Sequence, residues 1–255
     1  MQHVAEIAVH SFLRDVLDGK ASMPAPVIAE VAADVQEALT KQFQDDAKKR
    51  EFKLRMSNIG RPTCQLWMQK NHPDVAEAKP VSFKINMLIG DIVEAVFKGI
   101  LRGAKDIKSA SPWSFENKFK DFHTLNSDDT FGYVSQLVGY AKAADKEVGG
   151  WWVVNKVNGD FKYVSASEAD TDHVLEKIEE TYDYIDKDKP FERCFEAVPE
   201  TYRGKASGNM KLSKTCGWCD YRHKCWPDLK ALPSKVYKGA KTPPTVEYVS
   251  LAKEY

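Results

Sequence analysis

The chain has 255 residues, 43% of them hydrophobic, which suffices for one sizeable domain or two small ones around a buried core. Lysine plus arginine and aspartate plus glutamate are equal at 37 each, so net charge neither favours nor excludes a nucleic-acid partner, although the runs 48–50 and 235–241 are locally basic. No apolar run approaches a membrane span and no signal peptide is recognisable, so we expect a soluble cytoplasmic protein with no membrane partner.

The N-terminal region is predicted to be helical. Pro24-Ala25-Pro26 divides it into a short first helix and a longer second one, whose apolar residues recur at helical spacing over 27–39. A loop punctuated by Gly60 and Pro62 then leads into a short helix. Cys64 lies at this junction, where a lone cysteine is usually a small buried hydrophobe unless other ligands join it.

The segment 81–104 carries the strongest helical pattern, with a broad apolar stripe between Ile89 and Leu101. Gly90 and Glu94 are four residues apart on a different face, so the glycine leaves space beside the carboxylate. Glu94 is therefore a candidate ligand, with a solvated helix residue as the alternative.

Asp106-Ile107-Lys108 follows as a predicted strand over 105–110. Because alternate side chains of a strand share a face, Asp106 and Lys108 emerge together. A carboxylate that holds a divalent cation beside an ammonium that steadies water or a phosphoryl oxygen is suited to phosphodiester cleavage. A solvated surface pair is the competing interpretation of an isolated triplet.

After a loop expected over 112–123, residues Ser127-Asp128-Asp129 predict the start of a helix on which Gln136 and Tyr140 lie side by side. Strands are predicted at 151–156 and 160–165, with a hairpin turn at Asn158-Gly159, and a helix at 170–187. The remainder is predicted to be a loop leading to a cysteine cluster, followed by a polar tail.

The cysteine cluster has the spacing C-x2-C-x5-C, formed by Cys216, Cys219 and Cys225. Three thiols this close together indicate a metal site that lacks a fourth ligand, and Cys64 is the obvious donor, leaving Cys194 spare. Four thiolates suit Zn²⁺ or an iron–sulfur cluster, and His223 offers a zinc alternative. Free thiols in a turn are the remaining possibility.

These features together resemble the iron–sulfur PD-(D/E)XK nucleases, which include RecB-like phage exonucleases and CRISPR-adaptation nucleases. The Cys64 loop, Gly90-x3-Glu94, Asp106-Ile107-Lys108, Gln136-x3-Tyr140 and the C-terminal cysteines occur in the family's order between about Met56 and Pro227. The phrases 106–112 and 131–136 look particularly like phage members. Each motif alone is weak, whereas their ordered combination is specific.

The resemblance implies an α+β fold with a restriction-endonuclease-like core, helices around the sheet and a C-terminal cysteine cluster. It implies a single nuclease-like domain, with N-terminal helices to 55, a core over 56–187, a cysteine region over 188–230 and a polar tail over 231–255. It also implies a structural [4Fe–4S] cluster on Cys64, Cys216, Cys219 and Cys225.

The catalytic set implied by the resemblance is Glu94, Asp106, Lys108, Gln136 and Tyr140. Glu94 and Asp106 would hold Mg²⁺ or Mn²⁺. Lys108 would act on the attacking water or on the developing charge of the phosphorane. Gln136 and Tyr140 would position the DNA strand and the Lys108 side chain. The expected reaction is exonucleolytic cleavage of DNA ends or single strands in phage recombination, repair or degradation, alongside a recombination partner protein.

The chain departs from the family at one place. Only residues 95–105 separate Glu94 from Asp106, none of them is acidic, and a strand pair with its turn needs about ten to fifteen residues. The strand with the central metal-binding Asp is therefore expected to be missing and the sheet reduced. Asp128 or Asp129 is a candidate substitute. Three alternative functions remain open. The chain could be a nuclease with impaired cleavage, a module that binds DNA or assembles without catalysis, or a zinc-binding interaction protein.

Overall fold

The chain is described by a computed structural model over residues 3–44, 51–102, 106–234 and 242–252. Both predicted basic runs, at 48–50 and 235–241, lie outside these ranges. Within them, no helix combines the length and apolar character needed to cross a membrane. The chain forms two compact units, one of Met1–Gly60 with Lys79–Glu179 and one of Arg61–Ala78 with Glu180–Tyr255. The single domain expected from the sequence stays a prediction.

The described elements are mixed α+β. The helices are α1 (Val4–Leu17), α2 (Ala25–Phe43), α3 (Thr63–Asn71), α4 (Val81–Leu101), α5 (Phe122–Ser127), α6 (Tyr133–Ala143), α7 (Thr171–Asp186) and α8 (Arg222–Cys225). The strands are β1 (Asp106–Ala110), β2 (Gly150–Asn155), β3 (Phe161–Ser165), β4 (Val198–Tyr202), β5 (Lys205–Lys211), β6 (Lys230–Pro233) and β7 (Thr245–Ser250).

The first unit contains a three-stranded sheet in the order β1-β2-β3. β1 runs parallel to β2, with Asp106 opposite Trp151 and Lys108 opposite Val153, and β2 runs antiparallel to β3. The strands expected at 105–110, 151–156 and 160–165 are confirmed to within one residue, apart from Lys105, which lies outside the described residues. The sheet has three strands, as predicted, and few residues connect the end of α4 at Leu101 to β1.

Helices cover both faces of this sheet because its strands are apolar on both sides. On one face Ile107, Trp152 and Val154 pack against Val9 of α1 and Phe97 of α4. The opposite face packs against α6 and the segment before it, through a buried cluster that comprises Ala110, Phe115, Phe119, Phe122, Leu125, Val134, Leu137, Val138, Trp151, Val153, Val164 and Ala166. The predicted helical N-terminal region is confirmed.

The predicted loop over 112–123 and the predicted start of the next helix at 127–129 were both wrong. Ser114–Lys118 forms a π-helical turn, and α5 follows it. Phe115, Phe119 and Phe122 recur at helical spacing and are buried. This spacing indicates helical structure, but the lysine and glutamate residues between them favoured the prediction of a loop. The long helix begins at Tyr133, four residues after Asp129.

The second unit contains a four-stranded antiparallel sheet in the order β4-β5-β7-β6. The loop and the polar tail predicted for this region were therefore wrong in part, since short alternating strands such as Thr245–Ser250 carry few apolar residues. A buried carboxylate on the edge strand β4 joins the strands of this sheet through hydrogen bonds. Glu200 accepts hydrogen bonds at Oε1 from Tyr248 Oη (2.6 Å) and Ser234 Oγ (2.8 Å), and at Oε2 from Ser207 Oγ (2.8 Å) and Asn209 Nδ2 (3.0 Å).

Candidate functional site

The Asp-x-Lys triplet lies on the edge strand of the first sheet. Asp106 and Lys108 share a face of β1, and Lys108 Nζ lies 2.6 Å from Asp106 Oδ1. Both side chains are mostly buried, with exposed fractions of 11% for Asp106 and 16% for Lys108. The interpretation of the triplet as a solvated surface pair is therefore wrong.

The helix predicted to accompany this strand reaches the same point. The Lys108 ammonium donates a hydrogen bond of 2.8 Å to Gln136 Oε1 on α6. Tyr140 lies one turn further along α6 and is 49% exposed. The predicted adjacency of Gln136 and Tyr140 on one helix face is confirmed. The Gln136 amide contacts Lys108, whereas the exposed Tyr140 side chain lines the cleft.

The Asp106 carboxylate is only partly satisfied. Burial raises its pKa above the ordinary value of 3.8, although the Lys108 ammonium acts in the opposite direction and the charge of Glu94 reinforces the rise. Oδ2 of Asp106 and Nε1 of Trp151 are both buried without a hydrogen-bond partner among the described residues, although the indole is close enough to lower this pKa. A buried carboxylate oxygen without a donor is suited to a cation.

Glu94 lies at the rim of the site. Its carboxylate is 3.1 Å from Lys98 Nζ, one turn away on α4, and its side chain is 44% exposed. Gly90, one turn earlier, approaches β1 so closely that an added Cβ would lie 3.1 Å from Ser109 Oγ. The glycine therefore serves the packing of α4 on β1, which is a different role from the open space beside Glu94 that its position predicted.

An open cleft of about 1150 Å³ joins these residues. Glu94, Asp106, Lys108, Gln136 and Tyr140 all line it, so the structure brings the whole predicted catalytic set to one place. Lys41, Lys146 and Glu147 also line the cleft, and Lys41 lies 3.5 Å from Asp91, so the charged groups of its walls are of both signs.

The described part of the chain contains no third acidic or metal-ligating side chain grouped with Asp106 and Glu94 for a metal ion. Asp129 does not supply it, because Oδ1 accepts from the Tyr133 N–H (2.9 Å) and Oδ2 from the Val134 N–H (2.8 Å) at the start of α6. Asp128 accepts from Thr130 Oγ1 (3.1 Å). The hypothesis that Asp129 substitutes for the missing Asp is therefore wrong, since this residue caps the helix that carries Gln136.

Tyr133 is the site residue that the sequence interpretation missed. Its ring centroid is 5.3 Å from Lys108 Nζ, in the geometry of a cation–π contact. Tyr133 precedes Gln136 by three residues, so helical spacing alone places both on one face of α6. That spacing was the available signal.

The cysteines meet within the second unit. Cys64, Cys216, Cys219 and Cys225 line one cavity together with apolar side chains that include Met68 and Phe195. All five cysteines of the chain are free thiols. Among the described residues, no three Cys, His, Asp or Glu side chains are arranged to hold a single metal ion. Four thiols that line a shared cavity supply the ligand types of an iron–sulfur cluster or of zinc.

A buried indole supports this fit. Trp226 lines the same cavity, and its buried Nε1 makes no hydrogen bond of normal geometry among the described residues, although the indole is close enough to the Cys216 thiol to oppose the rise in its pKa. The Arg193 guanidinium stacks 4.1 Å from the Trp226 ring centroid and donates to the Cys225 carbonyl at 2.6 Å, which fixes the indole in place. A thiolate or sulfide acceptor in the cavity would satisfy this N–H.

Arg222 and Glu77 order the cysteine loop. The Arg222 guanidinium lies 2.6 Å from Glu77 and 2.7 Å from Glu247, and it also reaches the Gly217 and Cys219 carbonyls at 3.4 Å each. His223 Nε2 lies 3.5 Å from Glu77, so the imidazole interacts with a carboxylate. This contact gives His223 a role other than the zinc ligand considered from its spacing.

Cys194 is adjacent to Cys64. The Cys194 Sγ accepts from the Cys64 N–H at 3.1 Å and lies 3.2 Å from Thr63 Oγ1, at the start of α3. Its hydrogen bond with the Cys64 thiol, together with these backbone and hydroxyl contacts, lowers the pKa of Cys194 to about 6. Burial raises the pKa of Cys216, and that of Cys219 to about 11, so metal binding there would release protons.

Comparisons of the chain with protein-family models, with curated proteins and with solved structures gave no match. The resemblance to nucleases therefore depends on the motifs and on the geometry of their residues alone.

Proposed function

We propose that the chain is a metal-dependent DNA nuclease that hydrolyses phosphodiester bonds at DNA ends or in single strands, as an exonuclease would. The observation that carries this proposal is the position of the Lys108 ammonium, 2.6 Å from Asp106 and 2.8 Å from Gln136 at the wall of an open cleft. A phage setting, in host cytoplasm and with a recombination partner protein, belongs to the same proposal and follows only from the sequence resemblance.

Each residue of the set would have a distinct part in the chemistry. Asp106 and Glu94 would hold Mg²⁺ or Mn²⁺, whose chemistry is to neutralise phosphate charge and lower the pKa of a bound water. Lys108 supplies a fixed positive charge for the attacking water or the developing phosphorane oxygen. Gln136 holds the ammonium in place from the other side, so that the lysine keeps one orientation. Tyr140, at the exposed end of the pair, contacts the DNA strand.

A second candidate function is DNA binding or assembly without cleavage. The observation that favours it is the absence, among the residues with described coordinates, of a third ligand beside Asp106 and Glu94. Two carboxylates with waters bind Mg²⁺ weakly, so catalysis by this set would need a higher cation concentration than a three-ligand site does.

For the second unit we infer a structural [4Fe–4S] cluster on Cys64, Cys216, Cys219 and Cys225, with Zn²⁺ as the alternative. The shared cavity lined by the four thiols, and the buried Trp226 N–H beside the Cys216 thiol, support the cluster. Anaerobically purified protein should be brown and contain iron and sulfide, whereas colourless protein with one zinc per chain would favour the alternative.

The nuclease proposal is tested with end-labelled single-stranded and duplex DNA in Mg²⁺ or Mn²⁺. We expect degradation by the wild type and a loss of at least about 100-fold in Lys108→Ala, the scale of a missing electrostatic group. Lys162→Ala is the matched control, since this lysine also lies on the first sheet, where its Nζ donates to the Phe115 carbonyl at 2.6 Å.

Two results would separate the candidates. Salt-sensitive DNA binding with no degradation at any cation concentration favours the binding module. Equal degradation by wild type and Lys108→Ala contradicts an active site at this strand.

A further inference from the structure

An aromatic and basic surface continues outward from Lys108. Tyr133 contacts both Lys108 and Lys118, whose Nζ atoms lie 5.3 Å and 5.2 Å from its ring centroid. The same ammonium lies 4.7 Å from the Phe131 ring centroid, and the two rings are 5.8 Å apart. The Phe131 surface, defined here as Phe131, Lys118 and Tyr133, thus begins at Lys108.

Phe131 differs from the neighbouring aromatic residues in its exposure. Its side chain is 45% exposed, whereas Phe119 and Phe122, from the same segment, are 2% and 9% exposed. The backbone after Phe131 is held by the Asp129 carboxylate, which accepts hydrogen bonds from the N–H groups of Tyr133 and Val134, while Gly132 has φ +73°. The fold therefore leaves this ring exposed beside a hydrogen-bonded turn.

Lys118 reaches Phe131 from a π-helical turn. Ser114–Lys118 is the π-helical segment, and such single turns are frequent at functional sites. An ammonium beside an exposed ring provides the two elements with which single-stranded nucleic acid is bound, a cation for the phosphate and a π-face for the base. A duplex offers its phosphates but keeps its bases stacked, so only the cation would be used.

We infer that Phe131 and Lys118 form a subsite for single-stranded DNA, in which a base stacks on Phe131 and its phosphate contacts Lys118, next to the phosphodiester at Lys108. This inference deepens the proposed function, since it assigns a strand preference to the same site. It concerns binding, however, and it is tested separately from cleavage.

The experiment is fluorescence anisotropy with a labelled oligothymidylate and a duplex of equal length, at low salt and without cleavage-supporting cations. Phe131→Ala should weaken binding of the single strand by about 5-fold to 100-fold, the range of one base–aromatic stack, and affect the duplex less. Phe131→Trp should restore binding, because it keeps a stacking face.

The chain offers a matched control in Phe83, a 41% exposed phenylalanine whose ring lies 5.2 Å from Lys79 Nζ. This similar pair lies eleven residues before Glu94 on α4, about 16 Å along the helix, so Phe83→Ala should leave binding unchanged. Phe131→Leu retains an apolar side chain but removes the aromatic face, so it should lose binding as Phe131→Ala does. It therefore separates the loss of stacking from a failure of Phe131→Ala to fold.

The outcomes are distinguishable from failure of the nuclease proposal. Loss of single-strand binding in both Phe131 variants supports the subsite even if the wild type cleaves nothing. Wild-type affinity in Phe131→Ala, or no binding of the oligothymidylate by the wild type, overturns the subsite even if the protein degrades duplex ends.

Discussion

Lys108 and Asp106 form an ion pair of 2.6 Å in which neither side chain keeps more than 16% of its surface exposed. Such a pair costs desolvation energy that only good geometry and further hydrogen bonds offset. Gln136 supplies one of these bonds to Lys108, whereas Oδ2 of Asp106 receives none from the described residues. The pair is thus poised to accept a positive partner at the carboxylate.

Cation binding should consequently depend on Asp106. We expect Mn²⁺ to raise the melting temperature of the wild type and to have little effect on Asp106→Asn, since the amide cannot bind the ion as a carboxylate does. Glu94→Gln should weaken the effect less, because the Glu94 carboxylate is more exposed than that of Asp106. Differential scanning fluorimetry across Mn²⁺ concentrations checks this, with the exposed Glu116→Gln as control. An unchanged Mn²⁺ response in Asp106→Asn would contradict the assignment.

The pH dependence follows from the raised pKa of Asp106. A raised folded-state pKa means that the fold favours the protonated carboxyl group over the ionised one. Asp106 therefore contributes its full stabilisation below its ordinary pKa, and this contribution is lost as pH rises through the raised pKa. In the absence of a cation, the stability of Asp106→Asn relative to wild type should therefore increase over that interval. Denaturant titrations at several pH values measure it, and a pH-independent difference would show that Asp106 titrates normally.

Cysteine variants should separate the ligands from the fifth thiol. Cys216→Ser should lose bound iron, because a serine hydroxyl replaces a soft thiolate at the cavity. Cys194→Ser should retain iron, since its hydroxyl can accept the same hydrogen bond from the Cys64 N–H. Iron and sulfide assays with the absorption spectrum provide the measurement. Iron loss in Cys194→Ser but not in Cys64→Ser would assign the fourth ligand to Cys194 instead.

Glu200 should be the main electrostatic support of the second unit. Glu200→Ala leaves four donors without their acceptor, and we expect a loss of about 2–4 kcal/mol in unfolding free energy. Urea denaturation followed by tryptophan fluorescence measures this, with the exposed Glu196→Ala as control. A loss no larger than that of the control would show that water replaces the carboxylate.

The same carboxylate predicts acid sensitivity. Burial acts to raise the pKa of Glu200, but its four hydrogen bonds outweigh burial and lower it below 4.5. The lowered folded-state pKa stabilises the fold above the ordinary value, and this contribution is lost as pH falls through the folded value. Glu200→Gln should therefore have a smaller acid-induced loss of stability than the wild type, in the same denaturation experiment repeated from about pH 6 to about pH 3. An equal acid-induced loss in the two proteins would contradict this role.

Gly60 and Gly132 should tolerate no side chain. A Cβ on Gly132 would lie 2.4 Å from Gly60 Cα, and one on Gly60 would lie 2.6 Å from Gly132 Cα, so either alanine variant separates two backbones. We expect each to cost about 1–3 kcal/mol. Gly159→Ala is the control, because Gly159 also has a positive φ (+81°) but open space around it. Equal melting temperatures for all three variants would show that the two backbones separate freely.

The sequence predicted the first sheet well because its strands and the helices around them have strong apolar periodicity. The pairing of Asp106 with Lys108 follows from strand alternation, and that of Gln136 with Tyr140 from helix spacing. The approach of these two pairs to each other required the resemblance, since no local rule joins Lys108 to Gln136, 28 positions further along the chain. The ligation and the reaction remain predictions.

The second unit was harder to predict for physical reasons. Its sheet depends on long-range pairing of short polar strands and on the burial of Glu200, a residue that a composition argument places at the surface. The start of α6 was misplaced by four residues because the Asp129 carboxylate reaches forward to the amides of Tyr133 and Val134. The cysteine spacing, by contrast, correctly predicted that Cys64 and the three C-terminal cysteines meet at one cavity. Three of these four cysteines lie within ten residues of one another, so most of the prediction depends on local sequence.

The edge position of β1 has one more implication. Among the described residues, β1 pairs with β2 alone, so the backbone groups on the other side of β1 are not hydrogen-bonded to a further strand. A strand hairpin carrying an aspartate, inserted between α4 and β1, would extend the sheet without breaking an existing pair. The chain thus offers an attachment point for an added acidic strand, and protein engineering could use it to bring a third carboxylate to the cleft.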